Sequence, residues 1–270
     1  MIHGSNLLDY FNLMLLKNYS FKISVLFFLL CLMLNREAIA SSLNEEFFIK
    51  STIRGIPLAN GNVSIKIKET KYSLKVNARS TGIFSVILDW SQTIKSFGKI
   101  RHNTLNSYRY RSSDFRGNKS GHIEIDYTKI PPRIISAQPD PREDERRKIN
   151  NNFLLNVNDP ATGIFNLALS QCKNTVKIYD GKRIYNIKIL KKEYFVLKDP
   201  FFGEDNIKTY KCDFEIERIT GYTKKELERF PQKGEMWIKK HDKINFFYPT
   251  KIQIKTTWGN FLCIIKERRE

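Results

Sequence analysis

Apolar and polar side chains alternate with a period of two residues over long stretches of the chain. Around residues 63–79 the apolar members are Val63, Ile65, Ile67, Tyr72, Leu74, Val76 and Ala78. Because successive side chains of a strand point to opposite faces, this segment is predicted to be a hairpin with one dry face. The alternation recurs at residues 123–127, 185–189, 212–216, 236–238, 246–248 and 252–265. These strands predict a mainly β protein with a single large curled antiparallel sheet, a partly closed barrel or β-spiral resembling lipoprotein-carrier folds.

Three segments interrupt the alternation with features typical of helices. Apolar residues within 82–97 recur at spacings of three and four, which predicts a surface helix; they are Ile83, Val86, Ile87, Trp90 and Ile94. Asp159-Pro160 predicts a second helix, and Thr223 to Glu226 matches a capping box for a third. The proline-rich and charged residues 138–148 are predicted to form a mobile, solvated loop.

The first forty residues have the organisation of an export signal. Residues 23–34 are an apolar run of about a dozen, shorter than the ~20 needed to span a bilayer. Ala38-Ile39-Ala40 precedes Ser41 as a small-x-small cleavage pattern. We therefore predict a signal peptide over 1–40, cleaved between Ala40 and Ser41, and an exported antiparallel β domain over 41–270. Two alternatives stay open, an uncleaved N-terminal anchor and a start at Met14.

The chain is strongly basic, with a formal net charge of +18. The leader contributes only +1 of this, since Lys17, Lys22 and Arg36 stand against Asp9 and Glu37. Such a charge predicts attraction to anionic surfaces. The basic residues are spread over alternating strands rather than concentrated in one block, which favours solvated sheet faces over a nucleic-acid groove. No nucleic-acid partner is expected.

Three cysteines remain once Cys31 is removed with the leader. In an oxidising compartment they allow one disulfide and one leftover thiol. We predict a bond between Cys172 and Cys212, which closes a loop of about 40 residues. Cys263 lies in an apolar run, where a thiol behaves as a small hydrophobe.

Candidate chemistry is sparse. The serine–lysine spacing of cell-wall acyltransferases occurs at Ser96–Lys99 and at Ser170–Lys173, but Lys255-Thr256-Thr257 lacks the glycine of the accompanying K-T-G strand. Coincidence is the favoured interpretation of so short a pattern. The sequence has no H-E-x-x-H, G-x-S-x-G, phosphate-binding glycine loop or paired C-x-x-C.

One strand carries three potential metal ligands on the same face. His122, Glu124 and Asp126 alternate with apolar residues. Ligands along a single flat strand rarely converge, so the polar face of a strand is the favoured interpretation. No metal ligand, cofactor-binding residue or catalytic residue is predicted.

Several short motifs in a fixed order resemble one protein family. They are Gly55-Ile56-Pro57, Thr81-Gly82, Asp159-Pro160, Tyr179-Asp180-Gly181-Lys182-Arg183 with Tyr185, Cys212, Gly221-Tyr222, Met236-Trp237-Ile238 and Tyr248-Pro249 with Ile252. In these the chain resembles the exported bacterial proteins known as domain of unknown function 3108, common in alphaproteobacteria. The resemblance implies an envelope-located β protein with cysteines at positions 172 and 212 and without an established activity.

The leading functional hypothesis is a non-enzymatic periplasmic protein that maintains the cell envelope. Its expected partners are lipid, glycan or another anionic envelope component, with peripheral contact to a membrane surface. A curled sheet with an aromatic-lined concavity would also suit a lipid carrier. The alternatives are a cell-wall-modifying hydrolase or acyltransferase and a secreted binder of anionic surfaces.

Overall fold

A computed structural model describes residues 42–199, 204–242 and 245–268, so the predicted leader and its cleavage site at Ala40 and Ser41 lie outside the described residues. The thirteen strands of the described part are β1 Ser42–Ile53, β2 Ile56–Lys68, β3 Lys71–Ser80, β4 Trp90–Arg101, β5 Thr104–Arg116, β6 Lys119–Asp126, β7 Arg133–Gln138, β8 Val176–Tyr179, β9 Ile184–Asp199, β10 Glu204–Thr220, β11 Lys233–Lys240, β12 Phe247–Thr256 and β13 Gly259–Glu267. They form one antiparallel sheet in the order β7-β6-β5-β4-β3-β2-β1-β13-β12-β11-β10-β9-β8. The fold class predicted from the alternation is confirmed.

The sheet curls around a central helix. This helix, α2 Pro160–Leu169, contacts β4 and β5 on one side and β8 and β12 on the other. Phe165 and Leu169 join the apolar cluster of β1, β2, β3, β5, β12 and β13, while Leu167 and Ala168 join that of β8–β12. Because α2 is buried over most of its circumference, it fills the concave side of the sheet.

The two edges of the sheet contact each other through side chains near β6 and β8. Tyr127, just after β6, donates its hydroxyl to the carbonyl of Tyr179 at 2.6 Å. The β8–β9 turn packs against β6 so closely that a Cβ on Gly181 would lie 2.1 Å from the Ile123 Cδ1 atom. No ladder joins β7 to β8 in the part of the chain that the structure describes, so the sheet is not closed there.

The predicted surface helix over 82–97 is wrong for most of its length. Only α1 Ile83–Ile87 is helical, and residues from Trp90 onward form β4, which pairs with both β3 and β5. The inward positions of β4 include Ser96 and Gly98, so this strand lacks the apolar alternation of its neighbours. The chance spacing of its few apolar residues imitated a helix.

The other two predicted helices are present with the expected caps. Asp159 accepts a hydrogen bond from the backbone amide of Thr162 at 2.9 Å and starts α2. A complete capping box between Thr223 and Glu226 starts the third helix, α3 Lys224–Arg229. No helix in the described ranges is long and apolar enough to cross a membrane.

The segment after β7 is more ordered than a solvated loop. It forms 3-10 turns at Pro141–Glu143 and Glu145–Arg147, and Arg147 bridges to Glu226 of α3 at 2.9 Å and to the Gly221 carbonyl at 2.9 Å. Burial alone would raise the pKa of Glu226, but the hydrogen bonds from Arg147 and Thr223 outweigh it and lower the pKa to about 2.

The Arg147–Glu226 contact should make stability acid-sensitive. A carboxyl whose pKa falls from 4.5 to about 2 on folding adds stability above pH 4.5, and this stability is lost as the pH drops toward 2. We expect Glu226→Gln to lower the free energy of unfolding at neutral pH by about 1 kcal/mol, since the pair is partly screened by solvent. Urea unfolding between neutral pH and pH 2 should show that the difference in unfolding free energy between the parent and Glu226→Gln shrinks as the pH falls. The exposed Glu228→Gln control should show no such pH-dependent difference. An equal difference at both ends would contradict the assignment.

Cys172 and Cys212 are bonded, with their sulfur atoms 2.07 Å apart. This agrees with the predicted pairing and joins the residues after α2 to β10. Cys263 is the free cysteine of the described residues, and burial raises the pKa of its thiol to about 12. A thiol with so high a pKa is protonated at neutral pH and therefore a poor nucleophile.

Candidate anion-binding surface

The outward faces of β2, β3 and β4 carry six exposed lysines, here called the lysine face: Lys66, Lys68, Lys71, Lys75, Lys95 and Lys99. The strand register places them in rows across the sheet. Lys71 lies opposite both Lys68 and Lys99, and Lys95 lies opposite both Lys75 and Arg111. Neighbouring strands are about 4.8 Å apart, so each row concentrates positive charge along a line across the strands.

These lysines form no direct ion pair among the described residues, and Lys66 acts on a carboxyl only at longer range, where it helps to lower the pKa of Glu46. None of the six lies within 4.0 Å of a carboxylate, although Glu69 occupies the turn between β2 and β3. Like charges directly opposite each other destabilise a sheet. A face that keeps such rows is therefore suited to an anionic partner, which would relieve the repulsion.

A band of amide and hydroxyl side chains adjoins the lysine face on the same outward side. Thr93 donates to Asn77 at 3.1 Å, Asn77 donates to Asn62 at 3.1 Å, and Asn62 donates to Glu46 at 2.8 Å. The chain of hydrogen bonds thus crosses β4, β3, β2 and β1. Asn77 and Thr93 are each two residues from a lysine of the lysine face.

This band lines an open groove of about 760 Å³, here called the amide groove. Phe48 borders it with half of its side chain exposed, and the Arg268 guanidinium lies 5.5 Å from the Phe48 ring centre. The hydrogen bond from Asn62, together with Arg268, lowers the pKa of the Glu46 carboxyl. Amides, hydroxyls and an exposed ring offer partners for the hydroxyls and the apolar faces of sugars.

A second cationic groove lies between the β6–β7 turn and the 3-10 segment. Its volume is about 820 Å³, and Lys129, Arg133, Arg142, Arg147 and Lys148 line it. Arg142 is held by Asp140 at 2.5 Å, and Arg147 is held by carboxylates of its own chain. Two of the five cations of this groove already have counter-ions, whereas none of the six lysines of the lysine face forms an ion pair in the described structure, so the lysine face is the stronger candidate.

The Ser96–Lys99 pair does not form a catalytic arrangement. The two residues point to opposite faces of β4: Ser96 is fully buried and Lys99 is exposed. The Ser96 hydroxyl donates to Asp159 Oδ2 at 2.7 Å. Thr162 donates to the same oxygen at 2.6 Å, Ser107 is a third donor, and Tyr72 contacts Thr162 at 2.7 Å. Burial and the nearby Asp159 raise the pKa of Tyr72 to about 12.

Ser170 of the second serine–lysine spacing and Thr256 of the K-T-T strand also have structural roles. Ser170 is the C-cap of α2 and donates its hydroxyl to the Leu167 carbonyl at 3.0 Å, while Lys173 is exposed. Thr256 donates to the Gly259 carbonyl at 2.6 Å and shapes the β12–β13 turn.

Two of the three potential metal ligands of β6, Glu124 and Asp126, are engaged by separate partners. Glu124 pairs with Arg109 at 2.6 Å and with Arg111 at 3.0 Å. Asp126 accepts from the backbone amide and the hydroxyl of Thr128. No group of three potential ligands that could hold a metal occurs among the described residues.

The lysine face was missed by sequence reasoning because it depends on register. Lys68 and Lys71 could have been paired from the short turn at 69–70. Lys95 and Lys99 belong to the strand that was misread as a helix, so their alignment with β3 stayed hidden.

Fold and surface together define an antiparallel β protein that curls around one helix and carries a cationic outer face. The family model described as Protein of unknown function (DUF3108) matches residues 49–263, and the chain belongs to this family. No curated protein matches it. A solved structure, the beta-barrel-like protein of domain of unknown function DUF1849 from Brucella abortus, is similar over 84% of this chain and 99% of that chain, with 8% identity and a TM-score of 0.44.

Two motifs of the resemblance meet in a tight contact. Gly221 adopts a φ of +86°, and a Cβ there would lie 2.1 Å from the Lys182 carbonyl oxygen. Arg183 pairs with Asp180 at 2.7 Å and lies 5.2 Å from the Phe230 ring centre. These contacts hold the β8–β9 turn against the segment that leads into α3. The two motifs therefore have a structural role.

Proposed function

We propose that the protein is exported to the periplasm and acts there as a non-enzymatic envelope protein that binds an acidic glycan. The observation that carries the proposal is the lysine face, whose directly opposed lysines form no ion pair within the described residues. The leader predicted over residues 1–40 supports the compartment. The concave side that would hold a lipid tail is occupied by α2, so we do not propose a carrier.

The amide groove favours a glycan over a lipid headgroup as the partner. Lysines supply contacts for carboxylate or phosphate groups, and the adjoining amides suit the hydroxyls of the same sugar units. The outer side of a sheet that curls around α2 is convex. A flexible polymer can follow such a surface, whereas a flat bilayer contacts only part of it.

Binding of polygalacturonate oligosaccharides, measured by calorimetry over a range of salt, tests the proposal. We expect binding that weakens as salt rises, because the contacts are exposed ion pairs. Lys71→Glu with Lys95→Glu should weaken binding about tenfold or more at low salt. The control, Lys224→Glu with Lys225→Glu, changes the net charge equally at the start of α3, where acidic residues are tolerated.

Three outcomes would overturn the proposal. Equal loss of binding in both charge-reversal variants would mean that only net charge matters. Unchanged binding in the Lys71 and Lys95 variant would remove the lysine face. Binding to phosphatidylglycerol vesicles through these lysines, without binding to the oligosaccharide, would assign the face to lipid.

Asn62→Ala should weaken the binding that remains at high salt if the amide groove contacts sugar hydroxyls.

A further inference from the structure

One end of the sheet exposes a group of large apolar side chains, here called the apolar rim: Ile56, Ile83, Val86, Ile87, Leu88 and Trp258. The exposed fractions reach 86% for Val86, 72% for Ile87 and 65% for Trp258. Exposed apolar groups of this size and number mark an interaction site. None of the residues of α1 is buried, so the helix adds nothing to the core.

The loops that carry the apolar rim adjoin one another. The Arg54 amide donates to the Asn260 carbonyl at 3.1 Å, which joins the β1–β2 turn to the strand after Trp258. The Thr81 amide donates to the Leu58 carbonyl at 3.1 Å, which joins the α1 segment to β2. The Gly117 amide donates to the Asp89 carbonyl at 2.7 Å and brings in the β5–β6 turn. Apolar tips from several turns therefore project from one end of the sheet.

Cations stand beside these tips. Arg54, Arg79, Arg116 and Lys119 are exposed in the same turns or at the adjoining strand ends, and of these only Arg116 pairs with a carboxylate within the described residues, that of Asp114. Apolar groups at the tips with cations just behind them match the layering of an anionic bilayer, in which phosphates lie above the acyl chains. An exposed indole is typical of the headgroup level.

We infer that the apolar rim inserts into the headgroup region of an anionic lipid bilayer and holds the protein at the membrane surface. The partner is the lipid itself rather than a protein, because the apolar groups project from separate turns with cations beside them, as the layers of an anionic bilayer require. This contact is distinct from the lysine face, which lies on the flank of the same strands. A protein seated by its rim would leave the lysine face free for a second partner.

The test uses the exported protein with vesicles of phosphatidylcholine and phosphatidylglycerol that contain brominated acyl chains. Trp258 should be quenched by the bromine atoms, and Trp258→Phe should remove most of that quenching while vesicle binding persists. Val86→Ser with Ile87→Ser should weaken vesicle binding by about tenfold or more, because two apolar side chains are lost. The control, Ile130→Ser with Leu190→Ser, removes two exposed apolar residues elsewhere and should bind as the parent does.

Each arm can overturn the inference. Vesicle binding without quenching of Trp258 would show that the rim stays in water. Equal weakening by the rim and control variants would show no preference for the rim. Urea unfolding of each variant checks that it is folded. The Lys71→Glu and Lys95→Glu variant separates the two proposals: it should lose oligosaccharide binding yet keep Trp258 quenching at saturating lipid.

Discussion

Replacing Asp159 with alanine should lower the free energy of unfolding by about 3 kcal/mol. Asp159 is fully buried, and its carboxylate accepts hydrogen bonds from Ser96, Ser107 and Thr162 as well as the amide that starts α2. Alanine removes the cap, worth about 1 kcal/mol, and leaves buried hydroxyls with fewer acceptors. Because α2 fills the concave side of the sheet, loosening its start exposes both flanking apolar clusters.

Urea unfolding of three variants would test this. Asp159→Asn keeps an oxygen for the cap but faces the hydroxyls with a donor in place of an acceptor, so an intermediate loss is expected. Asp140→Ala removes an acidic residue that caps only a 3-10 turn, and it should cost less than either. A loss for Asp159→Ala below about 0.5 kcal/mol, the range of ordinary surface substitutions, would contradict the role of this network.

The same network explains where sequence reasoning failed. The alternation predicts strands where several inward positions in succession are apolar, as at Val63, Ile65 and Ile67 in β2, and it leaves β1, β5 and β8 unpredicted. In β4 the inward Ser96 faces Asp159, and Gly98 leaves room for the Asn106 carbonyl, 2.1 Å from where a Cβ would lie. A strand that turns polar and small residues toward a buried carboxylate loses its alternation. The polar inward side of β4 is explained only by its long-range contact with the start of α2.

The candidate site shows a second limit of prediction from the sequence. Each lysine of the lysine face was visible in the sequence, and the alternation placed Lys66 and Lys68 on the wet side of β2. What turns single charges into rows is the pairing of Lys71 with Lys99 and of Lys75 with Lys95. Pairing is a property of the whole sheet, so a count of net charge cannot distinguish scattered cations from aligned ones.

Removing the disulfide should have the largest effect on stability. The bond between Cys172 and Cys212 spans 40 residues, and a loop of that length corresponds to about 4 kcal/mol in the chain-entropy model. We expect Cys172→Ala with Cys212→Ala to lose this amount in urea unfolding. The loss arises because the unfolded chain gains freedom, so the variant should show nearly native circular dichroism while folded.

Reductant separates the disulfide from simple packing. Dithiothreitol should destabilise the parent toward the double variant and leave the double variant unchanged, whereas Cys263→Ala should respond to reductant as the parent does. Peptide mapping of the oxidised protein should link residues 172 and 212. A map that linked Cys263 to either, or a parent indifferent to reductant, would contradict the pairing. Since the loop between the two cysteines holds β8, β9 and the first half of β10, its closure also shortens the search by which this edge of the sheet finds its register.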